Sequence, residues 1–221
     1  MKKILILGMA SVLLMLEGCA QAEQRSSLSE ESVQPIQEMV EKIQPNDVVK
    51  TIMSRRSVRK YKPVEIENEK LQKVLECGIN APNGMYKQSW EIRVVNTPKV
   101  MSEIEKGYTA YLTQKGKKRI SHPSFGAPCL IFIAHDTAYD LSQVDCGLLG
   151  GNMILAAQSM GLGTCCLGGI VRYMNSPEAV ELLKRLNIPS SYKLLYALAV
   201  GYPDENPKAK PRNAEKIKFV E

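Results

Sequence analysis

The chain is poor in the residues that most hydrolytic and metal-dependent sites need. It has two histidines, His122 and His135, in 221 residues. No serine or cysteine sits in a nucleophile motif, which argues against a hydrolytic triad. No Cys-x-x-Cys pair occurs and no histidine stands at zinc spacing. Aromatic residues make up 6% of the chain and do not interleave with arginines, and the net charge of +6 is scattered, so nucleic-acid binding is a weak reading. No internal repeat is visible, and the length suits one domain with a full core. Of the six cysteines, Cys77, Cys129, Cys146, Cys165 and Cys166 read mostly as small buried hydrophobes.

What is present begins with a leader. Lys2 and Lys3 precede an apolar run, Ile4 to Leu16, and then Leu16-Glu17-Gly18-Cys19. At about 1.5 Å per residue the run is short for a bilayer core. The pattern is that of a secretory signal over residues 1–18. Its ending resembles a bacterial lipoprotein signal, in which Cys19 carries lipid and holds the protein on a membrane surface of the cell envelope without crossing it. A plain signal or an uncleaved anchor is the alternative. Residues 19–46 are rich in Glu, Gln and Ser and read as a tether with a weak apolar repeat at Ile36, Met39, Val40 and Ile43.

The folded domain is expected over residues 47–221. Asp47 is a plausible N-cap for a short helix to Ser54. It is followed by Arg55-Arg56-Ser57-Val58-Arg59. Guanidinium groups match phosphate geometry and stay charged when partly desolvated. Lys208, Lys210 and Arg212 form a second basic cluster near the other end. Two clusters with no shared sequence neighbourhood suggest a clamp on one anion; a solvated basic turn is the plainer alternative for the first alone. Between them, Leu71, Val74, Leu75 and Ile79 recur at helical spacing. A strand is expected over 91–95, a helix over 98–115, a mobile loop over 115–126 and a central apolar strand over 128–134. A long helix over 139–160 is apolar on more than one face, which implies burial in a large core or against another subunit. Its Gly147, Gly150 and Gly151 suggest a neighbouring helix coming close. Helix 177–186, strand 192–200 and an edge strand over 216–220 complete the reading.

Four landmarks occur in order: Arg-Arg-Ser-x-Arg at 55–59; Ala-Pro-x-x-x-x-x-Gln-x-Trp at 81–90; Gly-Leu-Gly-Thr-Cys at 161–165 with Gly168-Gly169 behind it; and Gly-Tyr-Pro with Lys-x-Arg at 201–212. Phe125-Gly126-Ala127-Pro128 also fits. Together they resemble the FMN-dependent nitroreductase family. The resemblance implies an α+β fold with a central sheet wrapped by helices, an intertwined homodimer whose C-terminal strand reaches the partner's sheet, and FMN in a groove between subunits. It implies that Arg55, Arg56 and Ser57 hold the ribityl phosphate and chain, completed by Lys210 and Arg212, with Arg59 near the pyrimidine edge of the flavin. It implies that Pro82, Asn83, Gly84 and Tyr86 border the ring from the other subunit, and that Leu167, Gly168 and Gly169 cover another part of it. Tyr86 and Ser89 depart from the family pattern, which usually has Asn and Pro there. The implied activity is ping-pong electron transfer from NAD(P)H to a nitroaromatic, quinone or related acceptor, with no side chain nominated as catalytic and no metal. The rivals are a specialised flavin reductase or dehalogenase on this fold, and an envelope lipoprotein with a degenerate flavin pocket.

Overall fold

The computed structural model describes residues 46–117 and 122–220. The signal, Cys19 and almost all of the tether lie outside the described residues. A compact unit runs from Thr51 onward; the described residues before it, 46–50, open a helix, α1 (Asp47–Ser54). Asn46, rather than Asp47, caps that helix: its Oδ1 accepts from the Val49 N–H at 3.0 Å.

Six further segments of regular structure carry the architecture: helices α2 (Asn68–Ile79), α3 (Pro98–Gln114) and α4 (Ser142–Ser159), and strands β1 (Trp90–Val95), β2 (Cys129–Asp136) and β3 (Gly163–Leu167). Two short helices, α5 (Gly169–Met174) and α6 (Val180–Arg185), precede β4 (Tyr192–Gly201). The sheet order is β1-β2-β4-β3, with every neighbouring pair antiparallel. A bulge between Ile133 and Ala134 shifts the β2–β4 register.

The apolar run in β2 is explained by burial on both faces. Alternate side chains point to opposite sides of a strand. Leu130, Phe132 and Ala134 join a core with Ile104 of α3 and Ile170 of α5. Cys129, Ile131 and Ile133 join a second core with Val74 of α2 and Leu149 and Met153 of α4. The helices therefore cover the two faces as separate layers, which is the expected α+β arrangement.

Several sequence expectations are corrected. α4 is shorter than expected. Gly150 in it does not admit a helix: a Cβ there would lie 2.0 Å from the Tyr196 hydroxyl of β4, so the close neighbour is a strand residue. Its outer side leaves Val144 and Leu148 exposed within one chain. The helix expected over 177–186 is a 3-10 turn, Pro177–Ala179, running into α6. α5 was not expected, because Gly168-Gly169 reads as a breaker. The expected edge strand over 216–220 is not a strand. A 3-10 turn covers Ala214–Lys216, and Ile217, Phe219 and Val220 stand exposed. A strand needs a neighbour to take its N–H and C=O groups, and none is recorded beside these residues among the described ones. Cys129, Cys146 and Cys165 are buried, Cys77 is half-buried and Cys166 exposed; none of these five is bridged.

Candidate functional site

Val58 and Tyr61 are the buried anchors of the first basic segment. Val58 N–H donates to Thr164 O of β3 at 2.9 Å, and Ser57 bridges Thr164. The Tyr61 hydroxyl donates to Val58 O at 2.9 Å and lies 3.3 Å from Ala199 O. With those two side chains turned inward, Arg55, Arg56 and Ser57 are left half-buried and Arg59 exposed.

The tail is zipped to this segment beyond the anchors. Lys62 N–H donates to Tyr202 O and Asp204 N–H to Lys60 O, both at 2.9 Å, and Tyr61 bridges Pro203. Lys60 Nζ stands 2.7 Å from an Asp204 carboxylate oxygen. That bond holds the Asp204 carboxyl below its usual range and the Lys60 ammonium above its own. Glu205 accepts from the Arg59 backbone N–H. Glycine makes the joint possible: a Cβ on Gly201 would lie 2.6 Å from Pro128 Cδ and 3.0 Å from Tyr61 Cδ1.

The zipper brings both basic clusters to one cleft of about 440 Å³. Arg55, Arg56, Ser57 and Arg59 line it together with Lys208, Lys210 and Arg212. Arg56 is partly engaged already, since its guanidinium donates to Met53 O at 2.7 Å and Arg55 O at 2.8 Å at the end of α1. An arginine on the last carbonyls of a helix is a common terminus.

A second cavity of about 230 Å³ shares Arg59 with the first. Tyr108, Phe125, Cys165, Gly168 and Gly169 are among its walls. Phe125 has φ +61, an uncommon conformation for a bulky residue. The Arg59 guanidinium is 6.0 Å from its ring centre. Leu167 lines this cavity, and it is also buried in the core cluster.

Pro82, Asn83, Gly84 and Tyr86 line neither cavity. They belong to a loop held from beneath by Asp145, the buried acid in the first turn of α4. Asp145 Oδ1 accepts from Gly84 N–H at 2.9 Å, and Oδ2 accepts from the Ser89 hydroxyl at 2.6 Å. Asn83 Oδ1 accepts from Gln88 N–H at 2.9 Å. Met85 and Tyr86 have φ +51 and +55 and are 77% and 82% exposed, so the loop presents its tip outward. Ser89 thus has a structural partner that proline could not have. Trp90 is buried at the start of β1. The sequence reading missed Glu205, Tyr108 and Asp145. Glu205 was adjacent to a quoted motif; nothing local distinguishes Tyr108 from Tyr111 or Asp145 from other helix acids.

Residues 52–202 match the family model described as the nitroreductase family. The chain belongs to the nitroreductase family. It is similar to the NADPH-flavin oxidoreductase of Vibrio harveyi, with 31% identity over 180 residues covering 76% of this chain and 70% of that one. Among solved structures it is similar to a nitroreductase with bound FMN from Desulfitobacterium hafniense, with 32% identity, a TM-score of 0.73, and coverage of 80% of this chain and all of that one. It is similar also to a nitroreductase with bound FMN from Bacteroides fragilis, with 28% identity, a TM-score of 0.72 and the same coverage.

Proposed function

We propose that this nitroreductase binds FMN and passes electrons from NAD(P)H to a nitroaromatic, quinone or related acceptor, the two substrates using the open ring cavity in turn. The observation that carries the reading is the meeting of two sequence-distant basic arms at one cleft, with Arg59 also lining a second cavity that has aromatic and glycine walls. The chemistry of this donor set fits a flavin mononucleotide: cations and a hydroxyl for a phosphorylated chain, a flat-walled space for a ring. When bound, FMN supplies hydride transfer.

The protein's part is binding and charge. Arg55, Arg56 and Ser57 would hold the phosphate and ribityl chain, completed by Lys210 and Arg212. Arg59 would stand near the pyrimidine edge of a bound flavin, where its positive charge would favour the electron-rich form of the ring. Gly168 and Gly169 let the backbone come close to the ring. Pro82, Asn83, Gly84 and Tyr86, on a loop turned away from both cavities of their own chain, serve the site of a second copy in a homodimer. The exposed apolar side chains Met53, Val144, Leu148 and Phe219 suit that pairing, with the C-terminal segment reaching the partner's sheet. The leader places the protein on the cell envelope through a lipid on Cys19. An intact clamp weighs against a degenerate pocket.

The experiment is direct. The purified protein should be yellow with an FMN spectrum and should consume NADPH when given a quinone or nitrofuran. A colourless protein that takes up no added FMN would end the proposal. Mass spectrometry of the mature N-terminus tests the lipid on Cys19.

A further inference from the structure

Among the described residues, the Tyr139 hydroxyl is a buried polar atom with no hydrogen-bond partner. It belongs to the link between β2 and α4. Buried tyrosine hydroxyls usually find a partner. Tyr61 and Tyr196 follow that rule, donating to Val58 O and Cys146 O. The Tyr139 hydroxyl instead stands against the loop that carries Asn83, Gly84 and Tyr86. A Cβ on Gly84 would lie 2.2 Å from its oxygen, so the missing side chain is what lets the phenol come so close. Lys87 of the same loop places its Nζ 4.2 Å from the centre of the Tyr139 ring.

The loop is tied down by few bonds and carries backbone strain. Asp145, 2% exposed, accepts from the Gly84 N–H and from the Ser89 hydroxyl. Asn83 Oδ1 accepts from the Gln88 N–H. Between these ties Met85, Tyr86 and Gln88 stand at φ +51, +55 and +47, a region that residues other than glycine enter at a cost. Burial, and then the charges of Asp145 and Asp140, push the Tyr139 phenol above its ordinary range. The phenol is therefore a protonated donor at neutral pH, with the Asp145 carboxylate in electrical reach. The held loop leaves two costs unrelieved, the strained backbone and the unpaired hydroxyl.

We propose that Tyr139 is the positioning residue of this loop: its hydroxyl takes the Asp145 carboxylate when the Gly84 N–H lets go, so the loop exchanges between a held and a released form, and that exchange controls release of the flavin at the second copy's site. The inference rests on the reading above that this loop borders that site. In the held form the Gly84–Asp145 and Asn83–Gln88 bonds keep Met85 and Tyr86 turned outward, 77% and 82% exposed. On release the left-handed residues relax and Tyr139 gains the partner it lacks. Ser89 keeps its bond to the acid throughout. Asp145 thus has two donors from outside its helix in either form, and the buried carboxylate does not oppose the change.

The test compares wild type with Tyr139→Phe, which keeps the ring and its Lys87 contact; a thermal melt checks folding. The first readout needs no flavin. It is amide hydrogen exchange over residues 82–90 in the flavin-free protein, because release frees the Gly84 and Gln88 N–H groups. Tyr139→Phe removes the unpaired hydroxyl from the held form and the latch bond from the released one. Exchange over 82–90 should therefore slow by about 3- to 10-fold, with exchange in β2 unchanged. Dissociation of FMN, followed by flavin fluorescence on dilution, should slow by a similar factor. Gly84→Ala presses a methyl onto the hydroxyl; it should speed loop exchange in the wild-type background and do so less beside Tyr139→Phe. Unchanged or faster exchange in Tyr139→Phe, or equal acceleration by Gly84→Ala in both backgrounds, would overturn the latch. Slower exchange with unaltered FMN release would overturn its control of the flavin. Failure of wild type to hold FMN would instead remove the flavin reading, and the exchange result would still decide the latch.

Discussion

Replacing Arg55 and Arg212 together by alanine removes one guanidinium from each of the two basic clusters that line the cleft. Arg55 is half-buried and Arg212 exposed. Arg55 has no recorded bond to another described residue through its guanidinium, whereas Arg212 donates weakly to its own neighbours, Lys210 O at 3.1 Å and Pro211 O at 3.4 Å. Both can therefore turn to an anion at small cost. A charge-assisted hydrogen bond contributes about 1.5–3 kcal/mol when shielded; solvent exposure lowers that to roughly 1–1.5 kcal/mol for each here. The sum, about 2–3 kcal/mol, corresponds to a 30- to 150-fold weaker FMN affinity. The assay is titration of the flavin-free protein with FMN and, in parallel, with riboflavin, which keeps the ring and lacks the phosphate. Wild type should prefer FMN strongly, and raising salt should erode the preference because exposed charges are screened over about 8–10 Å. The double variant should bind riboflavin much as wild type does and lose most of its preference for FMN. An unaltered preference would refute the clamp.

Other outcomes follow from the same geometry. Gly201→Ala pushes a methyl into Pro128 and Tyr61, two ring systems that yield little; thermal melting should show a loss of about 1–3 kcal/mol, with weaker flavin retention because Tyr61 anchors the first arm. Ser89→Ala deprives the buried Asp145 of one of its two partners outside α4, and chemical denaturation should register a loss of about 1–3 kcal/mol. Burial pushes the Cys129 and Cys146 thiols up to about 12, so iodoacetamide at pH 8 should leave both unmodified until the protein unfolds. The Lys60–Asp204 pair stabilises the zipper while both are charged. Asp204 is depressed from 3.8, so its contribution holds above that value and is lost as pH falls through the lower folded value. Lys60 is raised from 10.5, so its contribution is full below that value and is lost as pH rises through the folded one. Melting curves of Asp204→Asn should thus differ slightly from wild type near neutrality and converge with it in acid.

Much of this architecture was readable before any coordinates. The arginine segment and the basic tail declared themselves because charge clusters are local in sequence, and their matching signs hinted at a shared anion. The apolar run of β2 and the spacing of Leu71 and Val74 carried their burial openly. Other features depend on tertiary neighbours. The zipper pairs Lys60 and Lys62 with Tyr202 and Asp204, and only the sheet brings those backbones side by side. Gly150 was read as a helix contact and turned out to receive Tyr196, since small residues announce a close neighbour without saying which. The alternation over 216–220 reads as a strand, yet no strand partner lies beside it among the described residues, and Ile217, Phe219 and Val220 stand exposed.

The central claim is that a single flavin mononucleotide joins the two basic arms. A crystal structure of the protein grown with FMN tests it most directly. The account predicts the phosphate between Arg55 and the Lys210–Arg212 segment, with the ring beside Gly168 and Gly169 and near Arg59. A phosphate lying outside that cleft, or a ring seated elsewhere on the sheet, would contradict it.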